Sequence, residues 1–194
     1  MSEENTPDSD HNDDEHDNES PRFKLKPTGP IPSELYSFYE DRPFRSCTRC
    51  GEGLFDFKNG YRVSKVYKGD EVIFEYALCV PCLQNMMEES SEESRQRLYE
   101  FQMSRIRQVA GFDECALCDR VEEYSQIMDY GLVGICLGES IVEANKICGL
   151  CMEEMSELVS KKTRESWDRF VDENFPGVPS DLEAFPIRNV PSLL

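Results

Sequence analysis

Residues 74–82 read Phe74-Glu75-Tyr76-Ala77-Leu78-Cys79-Val80-Pro81-Cys82, and upstream of them stands Cys47-Thr48-Arg49-Cys50. Two residues between thiols let a tight turn aim both sulfurs at one ion, and a second such pair completes a tetrahedron. The same spacing returns in Cys115-Ala116-Leu117-Cys118 and Cys148-Gly149-Leu150-Cys151. Within the first set 28 residues separate the pairs, and within the second 29. A single CxxC carries little information. Four of them in two matched sets point to two tetrathiolate sites, Cys47, Cys50, Cys79 and Cys82 in one and Cys115, Cys118, Cys148 and Cys151 in the other. Zinc is the expected ion, two per chain, with iron as the alternative. A redox dithiol would need a parallel βαβ unit, which the pattern does not suggest. Disulfides would need an exported protein. The ninth cysteine, Cys136, sits in Gly134-Ile135-Cys136-Leu137 and reads as a small buried hydrophobe.

Working outward, Glu71 to Leu78 alternates, with Val72, Phe74, Tyr76 and Leu78 on one side and Glu71 and Glu75 on the other. That is a strand with one buried face. Tyr61 to Tyr67 supplies its partner, and Lys68-Gly69-Asp70 the hairpin turn. In the second set Gly138 takes the turn, but Ile141 to Ile147 alternates poorly, so an irregular segment is expected. Past each second pair the chain reads as helix, with Pro81 tolerated in the first turn. Ser91 and Ser160 look like N-caps of a further helix. That helix puts Leu98 and Phe101 on one face, with Trp167 and Phe170 as counterparts. A short helix is expected from Ser33 to Glu40.

The two sets belong to a longer repeat. Cys47 maps to Cys115 at a shift of 68, as does Phe44 to Phe112; Cys79 maps to Cys148 at 69. The shift of 69 also links Gly69 to Gly138, Met86 to Met155, Ser91 to Ser160, Arg95 to Arg164 and Phe101 to Phe170. An internal duplication is the expected origin. Knuckle, hairpin, then a helix whose first turn carries the second ligand pair resembles the treble-clef class of zinc fingers, over residues 44–107 and 112–175. The stretch FEYALCVPC is also similar to bacterial proteins of uncharacterised role with one CxxC...CxxC module. The resemblance implies a small metal-stabilised α+β fold and no particular activity, since treble clefs serve unrelated functions. The expected organisation is a disordered acidic tail (1–20), an N-terminal segment with a short helix (21–43), zinc module 1 (44–110), zinc module 2 (111–175) and an irregular Pro-rich C-terminus (176–194).

Charge and composition bound the function. The net charge is −18, and residues 1–20 carry nine Asp or Glu and no Lys or Arg. Such a tail cannot bury enough apolar surface to offset its ordering entropy. Each module is small, and a core of that size gives only a few kcal/mol at best, so a metal is expected to supply the rest. The only histidines, His11 and His16, lie in the tail. That leaves the expected folded part without a histidine base, and four cysteines close each zinc shell against substrate, so a non-enzyme is expected. Residues 21–69 hold ten Lys or Arg against five Asp or Glu. There Arg42, Arg45, Arg49, Lys58, Arg62, Lys65 and Lys68 interleave with Phe55, Phe57, Tyr61 and Tyr67. This suits nucleic-acid contact as an alternative. A protein partner is the first expectation, because the overall acidity repels a polyanion. No apolar run approaches membrane-spanning length, and the acidic start lacks a secretory h-region, so a cytoplasmic location is expected.

Overall fold

A computed structural model describes residues 26–109, 111–120 and 129–175. The acidic tail and the Pro-rich C-terminus lie outside the described residues. The elements are β1 (Gly29–Pro30), β2 (Tyr61–Lys68), β3 (Glu71–Cys79), α1 (Val80–Glu89), α2 (Glu92–Arg105), β4 (Tyr130–Leu137), β5 (Ser140–Cys148), α3 (Gly149–Glu157) and α4 (Lys161–Asn174). The strands form one sheet in the order β1-β5-β4-β2-β3, and every ladder between them is antiparallel. The molecule is a small α+β protein. The parallel unit that a thioredoxin-like dithiol requires does not occur among the described strands.

The segment expected to be irregular, Ile141 to Ile147, lies wholly within the regular strand β5. Its alternation fails in sequence because the ladder slips: Ile135 pairs with Glu143 but Cys136 with Ile141, leaving Val142 as an extra residue. An extra residue reverses the phase of the side chains beyond it. The first hairpin slips at the matching place, where Val66 pairs with Phe74 but Tyr67 with Val72, skipping Ile73. Val72 therefore leaves the face that carries Phe74, Tyr76 and Leu78, contrary to the simple alternation.

The second correction concerns the far face of the sheet. The strand β3 was expected to bury one face only, yet both faces are covered. Helices cover one. Residues 31–42 cross the other. Leu35 is fully buried there, and a Cβ on Gly134 would come within 2.3 Å of its side chain, so glycine makes the seat. Glu75, expected on the open face, is paired with Lys65 at 3.2 Å, the two side chains being 7% and 4% exposed. It also accepts from Ser37 Oγ at 3.0 Å and Phe38 N at 2.9 Å, while Lys65 Nζ donates to the Tyr36 carbonyl at 2.5 Å. These ties hold the segment extended. Of the helix expected from Ser33 to Glu40, only a 3₁₀ turn at Ser33–Leu35 forms.

The two CxxC-bearing stretches meet in one sheet through the β2–β4 ladder, where Ser64 pairs with Val133, its counterpart at the shift of 69. Tyr61 pairs with Cys136 and Tyr67 with Tyr130, which is the same pairing read from the other half. That reciprocity defines an approximate two-fold axis. It passes next between the helix N-termini. Ser91 Oγ accepts from Ser94 N at 3.1 Å and Ser160 Oγ from Thr163 N at 3.3 Å, so both expected N-caps are present. The two serine hydroxyls lie 2.8 Å apart. Each cap's own N–H is then satisfied by the third residue of the opposite helix: Ser91 N donates to Thr163 Oγ1 at 3.0 Å, and Ser160 N to Ser94 Oγ at 2.8 Å. This is a capping box whose halves are exchanged between helices.

Past that crossing each helix covers the other half. Leu98 on α2 is fully buried among Cys115, Leu117, Val133, Ile147, Cys151, Met152 and Met155. Trp167 and Phe170 on α4 pack against Tyr76, with ring centroids 5.7 Å away in both cases. Among the described residues no helix is long and apolar enough to cross a membrane.

Candidate metal centres

Each CxxC pair stands where backbone geometry fixes it. Cys47 begins a tight turn in which Gly51 N donates to the Cys47 carbonyl at 2.8 Å, and Gly51 takes φ +77°, a conformation costly for other residues. Cys79 ends β3 and serves as N-cap of α1, so Cys82 lies in the first helical turn. Cys148 and Cys151 repeat this at the end of β5 and the start of α3. The knuckles are pinned to the strands alike: Thr48 N donates to the Ala77 carbonyl and Ala116 N to that of Lys146, both at 2.8 Å.

The structure brings together all eight expected residues in the two expected sets. In each, the four sulfurs lie within 4.8 Å of one another. Cys50 and Cys79 sulfurs are 3.8 Å apart, and those of Cys118 and Cys148 3.6 Å. Four sulfurs about 2.3 Å from a central ion form a tetrahedron with edges of about 3.8 Å. The cysteines are free, and the separations far exceed the bond of about 2.05 Å in a disulfide. Both groups can hold a metal ion.

The protons argue likewise. Burial works to raise Cys47, but backbone N–H groups of Cys50, Cys79 and Arg49 bring it below the ordinary thiol range. Cys115 is lowered by the thiols of Cys148 and Cys151, with help from the N–H groups of Cys148 and Leu117. Burial pushes Cys79 up to about 11 and raises Cys82 as well. Its neighbour Cys115 pushes Cys148 up to about 11 and raises Cys151. In each cluster one thiol, Cys47 or Cys115, is thus lowered while the pair on the strand end and helix start is raised. A divalent cation held at the centre would supply the charge that lets all four become thiolates.

A pH dependence follows. The unfolded chain carries protonated thiols below about pH 8.5, whereas the metal-bound fold carries thiolates. The unfolded state therefore binds more protons in that range, and stability rises with pH. It is present above the unfolded thiol range and lost on acidification. The melting temperature at pH 5 is expected to lie several degrees or more below that at pH 7.5, with metal appearing in free solution as the protein melts. Equal melting temperatures at the two values would contradict thiolate ligation.

Charged neighbours surround both clusters. Arg49, within the first CxxC, is held by the Glu89 carboxylate, which also accepts from Ser166 Oγ at 3.1 Å. Its guanidinium is raised first by that bond to Glu89 and also by the Cys82 sulfur, placing a positive charge beside the cluster. At the second cluster Arg107 Nη1 donates to the carbonyls of Cys118 at 2.5 Å and Cys115 at 3.3 Å. Glu154 gathers Arg105 and, at 2.7 Å, Arg120. Sequence reasoning missed Glu89, Glu154, Arg107 and Ser166, since none has a counterpart in the matching half that would mark it.

Gly149 occupies the second cluster's last CxxC. A Cβ there would stand 2.6 Å from the Asp129 carbonyl oxygen, which as backbone cannot swing aside. Gly149→Ala is expected to displace the start of α3 and weaken metal retention at Cys148 and Cys151 while sparing the first cluster. Metal stoichiometry under mild chelator competition checks this; full retention of two ions would contradict it.

Cys136 is buried as expected, and burial pushes its thiol up to about 12, which makes it inert. The expected basic patch is only partly taken up by the protein itself, since Lys58 and Lys68 stay exposed. Arg62, Lys65 and Tyr61 are buried. Arg42 pairs with Glu40 at 2.9 Å, and Arg45 lies over the Phe55 ring at 4.5 Å and reaches Glu139 at 3.6 Å. No protein-family model, curated protein or solved structure matches the chain.

Proposed function

We propose that this protein is a structural zinc protein that presents a rigid two-centre scaffold to a protein partner, in the cytoplasm and without catalysis of its own. The observation that carries this reading is the pair of four-sulfur clusters, each held on a strand end and a helix start. Soft thiolate donors in a tetrahedral set favour zinc over harder-ligand metals. Four sulfur ligands per site leave no open position for a substrate, which supports structure over catalysis.

Each half is treble-clef-like in this reading, and the halves are copies. The self-pairing of Ser64 with Val133, the 2.8 Å contact of Ser91 with Ser160, and the matched slips at Ile73 and Val142 support the duplication. An isologous assembly of two identical chains, later fused, would leave such a pattern.

Metal analysis of the purified protein tests the zinc assignment, with two equivalents of zinc expected and iron or sub-stoichiometric metal as the contrary result. Affinity capture with and without a chelator tests the scaffold role. Partners retained only by the metal-loaded protein support it; identical capture from stripped protein contradicts it.

A further inference from the structure

We infer that the two metal centres are positively and reciprocally coupled, so that an ion bound at one tightens binding at the other. The inference rests on the metal-binding reading above. Its warrant is the helix exchange. The first centre, with Cys79 and Cys82, shares its core with Trp167, Phe170 and Val171 on α4. That helix follows α3, whose start carries the second centre's Cys151. The second centre, with Cys115 and Cys151, shares its core with Leu98 on α2. That helix follows α1, whose start carries the first centre's Cys82. Each centre is thus roofed by a helix that the other centre anchors.

Polar ties follow the same crossing. Glu89, holding Arg49 beside the first centre, accepts from Ser166 of α4. At the second centre, Arg105 of α2 is held by Glu154, and Arg107 just beyond α2 donates to the knuckle, its N–H reaching the Ala116 carbonyl at 2.9 Å. The exchanged caps between Ser91, Ser94, Ser160 and Thr163 join the helices where they cross. Metal binding that builds one centre positions the helix the other needs, and the ordering free energy is spent once for both. Linkage requires the same factor in both directions.

The experiment titrates the full chain with zinc ions against a chromophoric chelator. The wild type is compared with Cys115→Ser/Cys118→Ser, which disables the second centre, and Cys47→Ser/Cys50→Ser, which disables the first. Each variant is expected to bind its one remaining ion about 5- to 150-fold more weakly than the wild type, by the same factor in both. Arg107→Ala, which keeps all eight ligands, is expected to bind two ions but to release them in two separate phases where the wild type releases them together. Unchanged affinity at the surviving centre in both variants, or independent release from the wild type, would overturn the coupling. A wild type that takes up fewer than two ions would instead overturn the metal reading itself.

Discussion

Stripping both ions from the protein with a strong chelator is expected to abolish its cooperative thermal transition and most of its ordered circular dichroism. The magnitude comes from comparing two quantities. A structural zinc site contributes an apparent ~10–16 kcal/mol of binding free energy at neutral pH, which becomes folding energy when the unfolded chain offers no site. A domain of ordinary size is stable by only about 5–15 kcal/mol in total. Losing both sites together therefore exceeds what the apolar core can cover alone. The buried ion pair of Lys65 and Glu75 does not alter that, since burying two charges consumes much of what their attraction returns. Thermal scans with and without chelator decide the matter, and superimposable melting curves would contradict it.

The second large effect concerns a residue distant in sequence from the centre it serves. Trp167→Ala is expected to cost about 3–5 kcal/mol, the range for removing a buried large aromatic. Trp167 is 3% exposed and touches Tyr76, Phe74 and Phe170, with centroids at 5.7, 6.4 and 5.1 Å. Tyr76 lies on β3 three residues before Cys79. The substitution falls in the half that carries the second centre but should loosen the first. Urea unfolding measures the stability, and cadmium NMR of the substituted protein, with one resonance per centre, measures where the damage falls. A loss below about 1 kcal/mol, or a disturbance confined to the Cys115 centre, would count against the helix exchange.

The sequence made some features plain because their chemistry is local. Cysteine spacing named both clusters, since a CxxC turn needs nothing from afar to aim its sulfurs. Ser91 and Ser160 were readable as caps for the same reason, and Gly69 and Gly138 as turns, with φ of +60° and +58° in the structure. The strand β5 was misread because period-two reasoning assumes an unbroken ladder, and the extra residue Val142 breaks it. The N-terminal segment was misread because its backbone is satisfied by Lys65 and Glu75, some thirty or more residues away. The exchange of α2 and α4 had no local signal at all. Leu98 and Trp167 mark an apolar face equally well whichever half that face meets. The basic and aromatic run near the first hairpin looked like a surface, yet burial of Arg62 and Lys65 depends on the sheet forming around them.

X-ray absorption at the metal edge of the freshly purified protein is the most direct test of the two centres. Two metal equivalents per chain, each with four sulfur neighbours at about 2.3 Å and no nitrogen or oxygen in the shell, is the result expected. A shell containing lighter atoms, or protein that is folded, oxidised and free of metal, would contradict it.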